Sequence, residues 1–457
     1  MTPHPQPQTR WYTLIWRWHF YAGVYVVPFM LMLALTGLVI LFQPQIEHLQ
    51  YKNLLSVAPQ GQESTPEQQL RTVQQTYPKA EITRYKAPTG PETSAQFSLQ
   101  QDGTDQTVYV NPYTTQVLGT VTDEDRIGSI ATTIHGTFLL GDLGDRLIEI
   151  AAGLGVVLLI TGLYLWWPRK NGIYGTLKVR KNLKGRQLWR DLHAVGGFWV
   201  GGTLLFFLIS GMAWTGIWGG KYVQAWNTFP SNMWNEVPTS TQTLSTLNKP
   251  GEKIVPWNLE QTSLPQSGSQ AGKAGLPPKV TLSGVITYTR SRGLSSFWVA
   301  FPDGPKGVWT VSASTMSGDL TDARKDTTLH IDQYTGRILA DIGWKDYSLG
   351  ARGMAAGIAL HEGKYGVWNQ VLGALSCLLI VLVSLSGFVM WWQRRPAGGF
   401  RLAAPPVPQH LPAWKGAVAL MLVMGVLFPL VGLTLLMVFL VDFLLVQRIP
   451  ALKRLLA

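Results

Sequence analysis

The sequence predicts a membrane protein: an α-helical bundle of four core transmembrane helices in two repeats, with two small α+β modules outside the bilayer and a C-terminal hydrophobic hairpin. Three observations predict it. Hydrophobic residues make up 46% and charged residues 14% of the 457, too little charge for a water-soluble domain of ordinary usage. Apolar stretches at about 20–42, 147–167, 194–218 and 367–392 each reach the roughly 20 residues that a bilayer core requires of a helix. The chain is also written twice. Trp16-Arg17-Trp18-His19 opens the first apolar segment and Trp189-Arg190-Asp191-Leu192-His193 the third, with His19 to Gly37 and His193 to Gly211 each 18 positions apart. His135 and His361 precede the second and fourth segments, which close on Trp166-Trp167-Pro168-Arg169 and Trp391-Trp392-Gln393-Arg394.

Charge orients these spans, because short loops rich in Lys and Arg stay on the cytoplasmic side. The loop 168–192 holds Arg169, Lys170, Lys178, Arg180, Lys181, Lys184, Arg186 and Arg190 against one acid, Asp191, and 393–412 holds Arg394, Arg395 and Arg401 with none. Both read as cytoplasmic. Segment 43–133 carries ten acids and six bases, and 219–350 is nearly balanced, so both read as extracytoplasmic. The chain therefore divides into a tail and first span (1–42), a first outer module (43–133), an outer histidine segment and second span (134–167), a basic loop (168–192) and a third span (193–218). A second outer module with an insertion (219–350), an outer histidine segment and fourth span (351–392), a cytoplasmic loop (393–412) and a C-terminal hairpin with a basic tail (413–457) complete it. The net charge of +12 reports this topology, with no nucleic-acid patch. The first apolar run is too long for a typical signal peptide and reads as an uncleaved anchor with its N-terminus inside. Cys377 is the single cysteine, so disulfides, zinc clusters and iron–sulfur clusters lack ligands.

As one helix, the apolar run Ala413 to Val446 would measure about 50 Å against a bilayer core of about 30 Å. Pro429 and Gly432 near its middle favour a hairpin of two short spans or a re-entrant pair over one long tilted helix. In the outer segments, Val108 to Leu118 and Thr328 to Leu339 each read as strand, Asn or Asp turn, strand, since Asn, Asp and Gly tolerate hairpin geometry. Thr65-Pro66-Glu67-Gln68 reads as a helix start with Pro in its first turn. The region 239–278, rich in Ser, Thr, Gly, Pro and Gln, reads as an irregular insertion or mobile loop.

A lone histidine at a membrane boundary is ordinarily a hydrogen-bonded interfacial side chain. Four in a duplicated arrangement, one at each face of each repeat, point instead to two metal or haem sites stacked across a bilayer. His19 pairs with His193 at the inner face and His135 with His361 at the outer. Gly153, Gly155, Gly196, Gly197, Gly201 and Gly202 could admit a flat macrocycle or serve close helix packing. The Trp pairs at 166–167 and 391–392 read as interfacial anchors. His4, His330 and His410 are not assigned as ligands, and His48 is a reserve candidate for the outer site.

On these residues the chain resembles the PepSY-associated transmembrane family of bacterial inner-membrane proteins, and within it the haem-containing siderophore reductases. The resemblance rests on the Trp-x-x-His entry at Trp16 to His19, the exit Tyr164-Leu165-Trp166-Trp167-Pro168-Arg169, the two Tyr-Thr hairpins and Leu360-His361-Glu362-Gly363. The first hairpin departs from the pattern, with Asn111-Pro112-Tyr113-Thr114-Thr115-Gln116 where an Asp and a Thr-Gly-Arg are usual. The resemblance implies PepSY-like outer modules, two haem b groups with His19, His193, His135 and His361 as axial iron ligands, and a periplasmic ferric siderophore or other ferric chelate as electron acceptor. Helix bundles supply the apolar slot such a cofactor needs. No Gly-x-Gly-x-x-Gly follows a strand, so electrons are expected from a separate donor, a quinol or a cytoplasmic reductase. Trp226, Trp234, Trp257, Trp298, Trp309 and Trp344 could form a docking surface, although module core is the expected role for most. Two rivals are a regulatory or binding protein without redox activity and a transporter. The latter would need polar groups deep in the spans, where only Glu149 and Asp442 stand out.

Overall fold

The computed structural model describes residues 10–168, 175–223, 236–248, 253–395, 402–405, 414–446 and 448–449. His4, His410, Trp226, Trp234, Arg169, Lys170 and Arg401 lie outside the described residues. The chain divides into two compact units, one of residues 1–38, 134–223 and 374–457 and one of 39–133 and 224–373.

Among the described residues, five helices are long and apolar enough to cross a membrane. In chain order the helices are α1 (Arg10–Leu41), α2 (Gln43–Gln50), α3 (Lys52–Leu55), α4 (Pro66–Thr76), α5 (Ile127–Thr137), α6 (Gly141–Trp166), α7 (Gly185–Met212), α8 (Leu282–Ser291), α9 (Leu349–His361), α10 (Val367–Trp392), α11 (Trp414–Leu427) and α12 (Pro429–Val441). The four expected core spans are α1, α6, α7 and α10. The fifth is Pro429–Val446. In the helical unit Val26, Met30, Ala34, Ala152, Val156, Val200, Leu208 and Ile380 share one apolar core. Glu149, flagged by the sequence, is buried on α6 and accepts hydrogen bonds from the Ile217 and Trp218 amides at 3.2 and 3.1 Å. It thereby pairs amides at the start of the short helical segment Trp218–Val223 that follows α7.

The C-terminal run is a hairpin. It breaks at Phe428, and Pro429 occupies the first turn of α12, where its missing N–H costs nothing. Gly425 and Gly432 let the two arms meet, since a Cβ on Gly432 would fall 2.6 Å from the Gly425 Cα. Gly153 of α6 admits Val431 in the same way, and Trp218 donates its indole N–H to the Leu427 carbonyl at 2.9 Å.

The second unit is built on one antiparallel sheet of eight strands: β1 (Glu81–Lys86), β2 (Ala95–Gln101), β3 (Thr104–Val110), β4 (Val117–Thr122) and, after the small pair β5 (Thr239–Thr243) and β6 (Ser263–Pro265), β7 (Trp298–Ala300), β8 (Val308–Ala313), β9 (Thr327–Asp332) and β10 (Ile338–Gly343). The order is β10-β9-β8-β7-β1-β2-β3-β4. The two expected modules are therefore not separate bodies. Their first strands pair edge to edge, Tyr85 opposite Val299, which removes one exposed edge from each half. Helix α4 carries a Thr65 capping box. Its Glu67 accepts the Ser283 amide of α8 at 2.7 Å, and both helices pack on one face over Val73, Phe97, Val285 and Val299. The two hairpins turn alike. Asn111 Oδ1 accepts from the Tyr113 amide at 2.9 Å, and Asp332 Oδ1 from the Tyr334 amide at 2.9 Å. Thr115 (φ +60°) takes the left-handed position that Gly336 (φ +70°) fills in the second, so the departure from Thr-Gly-Arg leaves the turn intact.

The insertion is irregular as expected, but it is packed. Leu244, Ile254, Val255 and Leu259 are fully buried and join Trp298, Ile342 and Tyr347 on the opposite face of the sheet. Composition alone hid this, because four well-spaced apolar residues suffice to anchor a polar segment.

Asp326, 2% exposed, accepts the Thr315 amide at 2.9 Å, and burial pushes its pKa up to about 7 from 3.8. A carboxyl whose folded value is raised contributes stability that is complete below about pH 4 and is lost as pH rises through 7. Asp326→Asn should match the parent's stability near pH 4 and exceed it at pH 8 by about 1–3 kcal/mol, seen as a higher thermal midpoint. Melting curves in detergent across that range check this, and equal slopes for the two proteins would refute it.

Candidate metal centre

Three histidines of the helical unit are set by one repeated device. His19 and His193 each sit in the third turn of their helices, α1 and α7. They do not open their spans, as the apolar pattern implied, because both helices continue through flanking Arg and Trp residues whose long side chains tolerate an interface. The structure brings these two together. Their ring centres are 6.1 Å apart and their planes cross at 86°.

The hydrogen bonds fix each ring's tautomer. His193 Nδ1 lies 2.9 Å from the Val383 carbonyl oxygen of α10, which can only accept, so Nδ1 carries the proton. The Ser386 hydroxyl is 3.3 Å from the same nitrogen and donates to the same carbonyl. His19 Nδ1 lies 2.9 Å from Thr161 Oγ1 of α6, and that hydroxyl donates its own proton to the Val157 carbonyl at 2.7 Å. The Thr161 oxygen therefore accepts from the ring. Nε2 keeps its lone pair on both histidines, the form that ligates metals, with the other nitrogen tied to a positioning oxygen.

His135 repeats the arrangement. It lies on α5, separated from α6 by Phe138 and Leu139 in left-handed conformation. Its Nδ1 is 2.9 Å from Thr36 Oγ1, whose proton goes to the Met32 carbonyl at 2.7 Å. Thr36 is 17 positions beyond His19 on α1, so the two settings are about 25 Å apart along that helix.

Each ring also faces a glycine next to its hydroxyl. A Cβ on Gly162 would fall 3.1 Å from His19 Cε1, on Gly387 3.2 Å from His193 Cε1, and on Gly37 3.6 Å from His135 Cε1. Sequence reasoning missed these seats. The signal was present as Thr36-Gly37, Thr161-Gly162, Ser210-Gly211 and Ser386-Gly387, one hydroxyl–glycine pair in each core span.

His361 is the last residue of α9, in the sheet-bearing unit. His48 is exposed on α2. His330 is fully buried in β9, bonded through Nδ1 to Thr310 at 2.9 Å, and burial lowers its pKa to about 3. It is a core residue. So are Trp257, Trp298 and Trp309, each at most 8% exposed, which removes them from a docking surface. Trp166 and Trp391 donate their indole N–H groups to the Thr176 and Leu402 carbonyls at 2.9 and 2.8 Å, tying each helix end to the loop that follows. The glycines divide between roles. Gly153, Gly155 and Gly196 serve close packing, against Val431, Leu208 and Val383, whereas Gly197 and Gly202 face open space.

Among the described residues no three His, Cys, Asp or Glu side chains converge on a point that could hold a bare metal ion. Two imidazoles alone give a metal too few ligands. They fit a metal that brings its own equatorial donors, as in a porphyrin. An imidazole nitrogen lies roughly 2 Å from a metal it ligates and roughly 1 Å from its ring centre, so two axial imidazoles have centres about 6 Å apart. The His19–His193 separation meets that requirement.

The PepSY-associated TM region family matches residues 16–394. The chain belongs to this family. No curated protein matches the chain. The PepSY-associated match takes in His19, Thr161, His193 and Ser386, and the hairpin α11–α12 lies beyond it.

Replacing Thr161 by Val removes the acceptor for His19 at a cost of about 1 kcal/mol. Nitrogen-15 spectra of histidine-labelled protein should show His19 as the Nδ1–H tautomer in the parent and as a mixture in Thr161→Val, with His193 unchanged. A parent His19 protonated at Nε2 would contradict the assignment.

Proposed function

We propose that this protein is a di-haem b electron-transfer protein of the bacterial inner membrane, N-terminus cytoplasmic, that reduces a periplasmic ferric siderophore or other ferric chelate and so releases ferrous iron. The observation that carries the reading is the His19–His193 pair: two imidazoles of one tautomer, 6.1 Å apart, on a helical unit of the PepSY-associated family. When bound, haem b supplies a one-electron carrier. His19 and His193 would hold it, with Thr161 and Val383 fixing the rings against rotation. His135, held by Thr36 in the same manner, is the proposed ligand of the second haem, and the sequence repeat supplies His361 as its counterpart.

The proposed electron donor is a separate quinol or cytoplasmic reductase. Each electron delivered to a ferric chelate converts Fe(III) to Fe(II), and hard oxygen donors hold the ferrous ion less tightly. The enzyme class is thus a ferric-chelate oxidoreductase. Purified protein supplied with haem should show a reduced-minus-oxidised low-spin b-type spectrum, with about two haems per chain by pyridine haemochrome. His193→Ala should lose one and His361→Ala the other. A colourless protein would sink the reading and leave a binding or regulatory role for the sheet-bearing unit.

A further inference from the structure

The end of the helical unit that carries His19 and His193 also carries a cation with no acid to meet it. Arg394, just past α10, lies with its guanidinium carbon 5.3 Å from the Trp16 ring centre and 5.0 Å from that of Phe20. Trp16, His19 and Phe20 are spaced i, i+3, i+4 and share one face of α1, so Arg394 covers the face on which His19 sits. Its Nε is buried and makes no hydrogen bond, and among the described residues no carboxylate lies within ion-pair distance of it. The one acid of the preceding basic loop, Asp191, is taken by Arg180 in a bidentate pair at 2.8 and 2.7 Å. Burial lowers the Arg394 pKa, and the neighbouring cation Arg186 lowers it further. Arg186 is seven residues before His193 on α7, two turns away on the same face.

Two cations at the mouth of a paired-imidazole site, one with its donor buried and unused, leave a deficit of negative charge. Burying an unpaired donor and charge is costly, and a planar guanidinium matches a carboxylate in bidentate geometry. We infer that Arg394, with Arg186, binds an acid group of the macrocycle held between His19 and His193. The inference rests on the haem reading above. It adds that the inner site selects a macrocycle with free carboxylates, and that Arg394 is the selecting residue. The phosphate of an anionic lipid is the competing occupant, disfavoured because the aromatic rings beneath Arg394 flank His19.

The test is reconstitution of haem-depleted full-length protein, in the His135→Ala background so that only the inner site is read, with haem b or with its dimethyl ester. The parent background should bind the free acid at least about tenfold more tightly than the ester, with a low-spin bis-imidazole spectrum for both. Arg394→Gln should bind the two equally with that spectrum retained, and Arg394→Lys should recover part of the preference. Low-spin haem bound without preference, or a preference untouched by Arg394→Gln, overturns the inference and leaves the haem reading standing. Loss of anionic lipid from Arg394→Gln with haem affinity unchanged assigns the site to lipid and likewise overturns it. No low-spin spectrum with either compound, in this background and in the parent chain, removes the haem reading and the inference with it.

Discussion

A polar ring inside an apolar helix bundle has to give its proton to an oxygen, and the helix backbone has almost none to spare. Every mid-helix carbonyl already accepts from the amide four residues on. The chain resolves this in two ways. Thr161 and Thr36 each donate to the carbonyl one turn back and present the oxygen to an imidazole of another helix. Val383 accepts from His193 directly, with Ser386 sharing the same carbonyl. One interaction thus satisfies a buried donor, locks a ring and selects the tautomer whose free nitrogen can ligate. The glycine beside each hydroxyl follows from it, since at 3.1–3.2 Å a methyl at Gly162 or Gly387 would press on the ring that the bond positions. Helix spacing, ring orientation and tautomer all depend on that contact.

The sheet-bearing unit answers a different constraint. Four antiparallel strands with one helix make a small core and two open edges. Pairing β1 with β7 doubles the sheet, and the hydrogen bond between Glu67 and Ser283 joins the covering helices. The opposite face is closed by an insertion that carries Leu244, Ile254, Val255 and Leu259. Alternation at β7 serves both faces at once, with Val299 and, just before the strand, Phe297 turned to one core and Trp298 to the other.

What could be read in the sequence followed from periodicities that are local. Four spans, the Pro429 break, the Thr65 helix start and the two Asn or Asp hairpins are set by residues within a few positions of one another. The histidine pair at 19 and 193 was legible because the duplication placed equivalent residues in register. The edge-to-edge joining of the modules was not, because nothing in Tyr85 or Val299 states which edge a strand will meet. Nor were the seats of the histidines. Thr161-Gly162 and Ser386-Gly387 lie far from the histidines they hold, and a hydroxyl in an apolar span ordinarily bonds only its own helix. The start of α7 at Gly185 was missed because a hydropathy window stops where Arg and Lys begin, while the helix continues through them.

The histidines divide by unit in a way that bears on mechanism. His330, in the sheet, is a core residue bonded to Thr310 and kept neutral by burial. His19, His193 and His135, in the helical unit, present Nε2 lone pairs after their Nδ1 protons are committed. In the helical unit, three imidazole nitrogens are thus left free for chemistry. There, two settings on α1 are separated by about 25 Å, close to the thickness of a bilayer core. At each end the ring is held in a single tautomer by a partner on another helix, so neither setting needs a side chain to move before Nε2 is free. Glu149, the acid buried on α6, is not part of either setting, because its carboxylate is committed to the amides of Ile217 and Trp218.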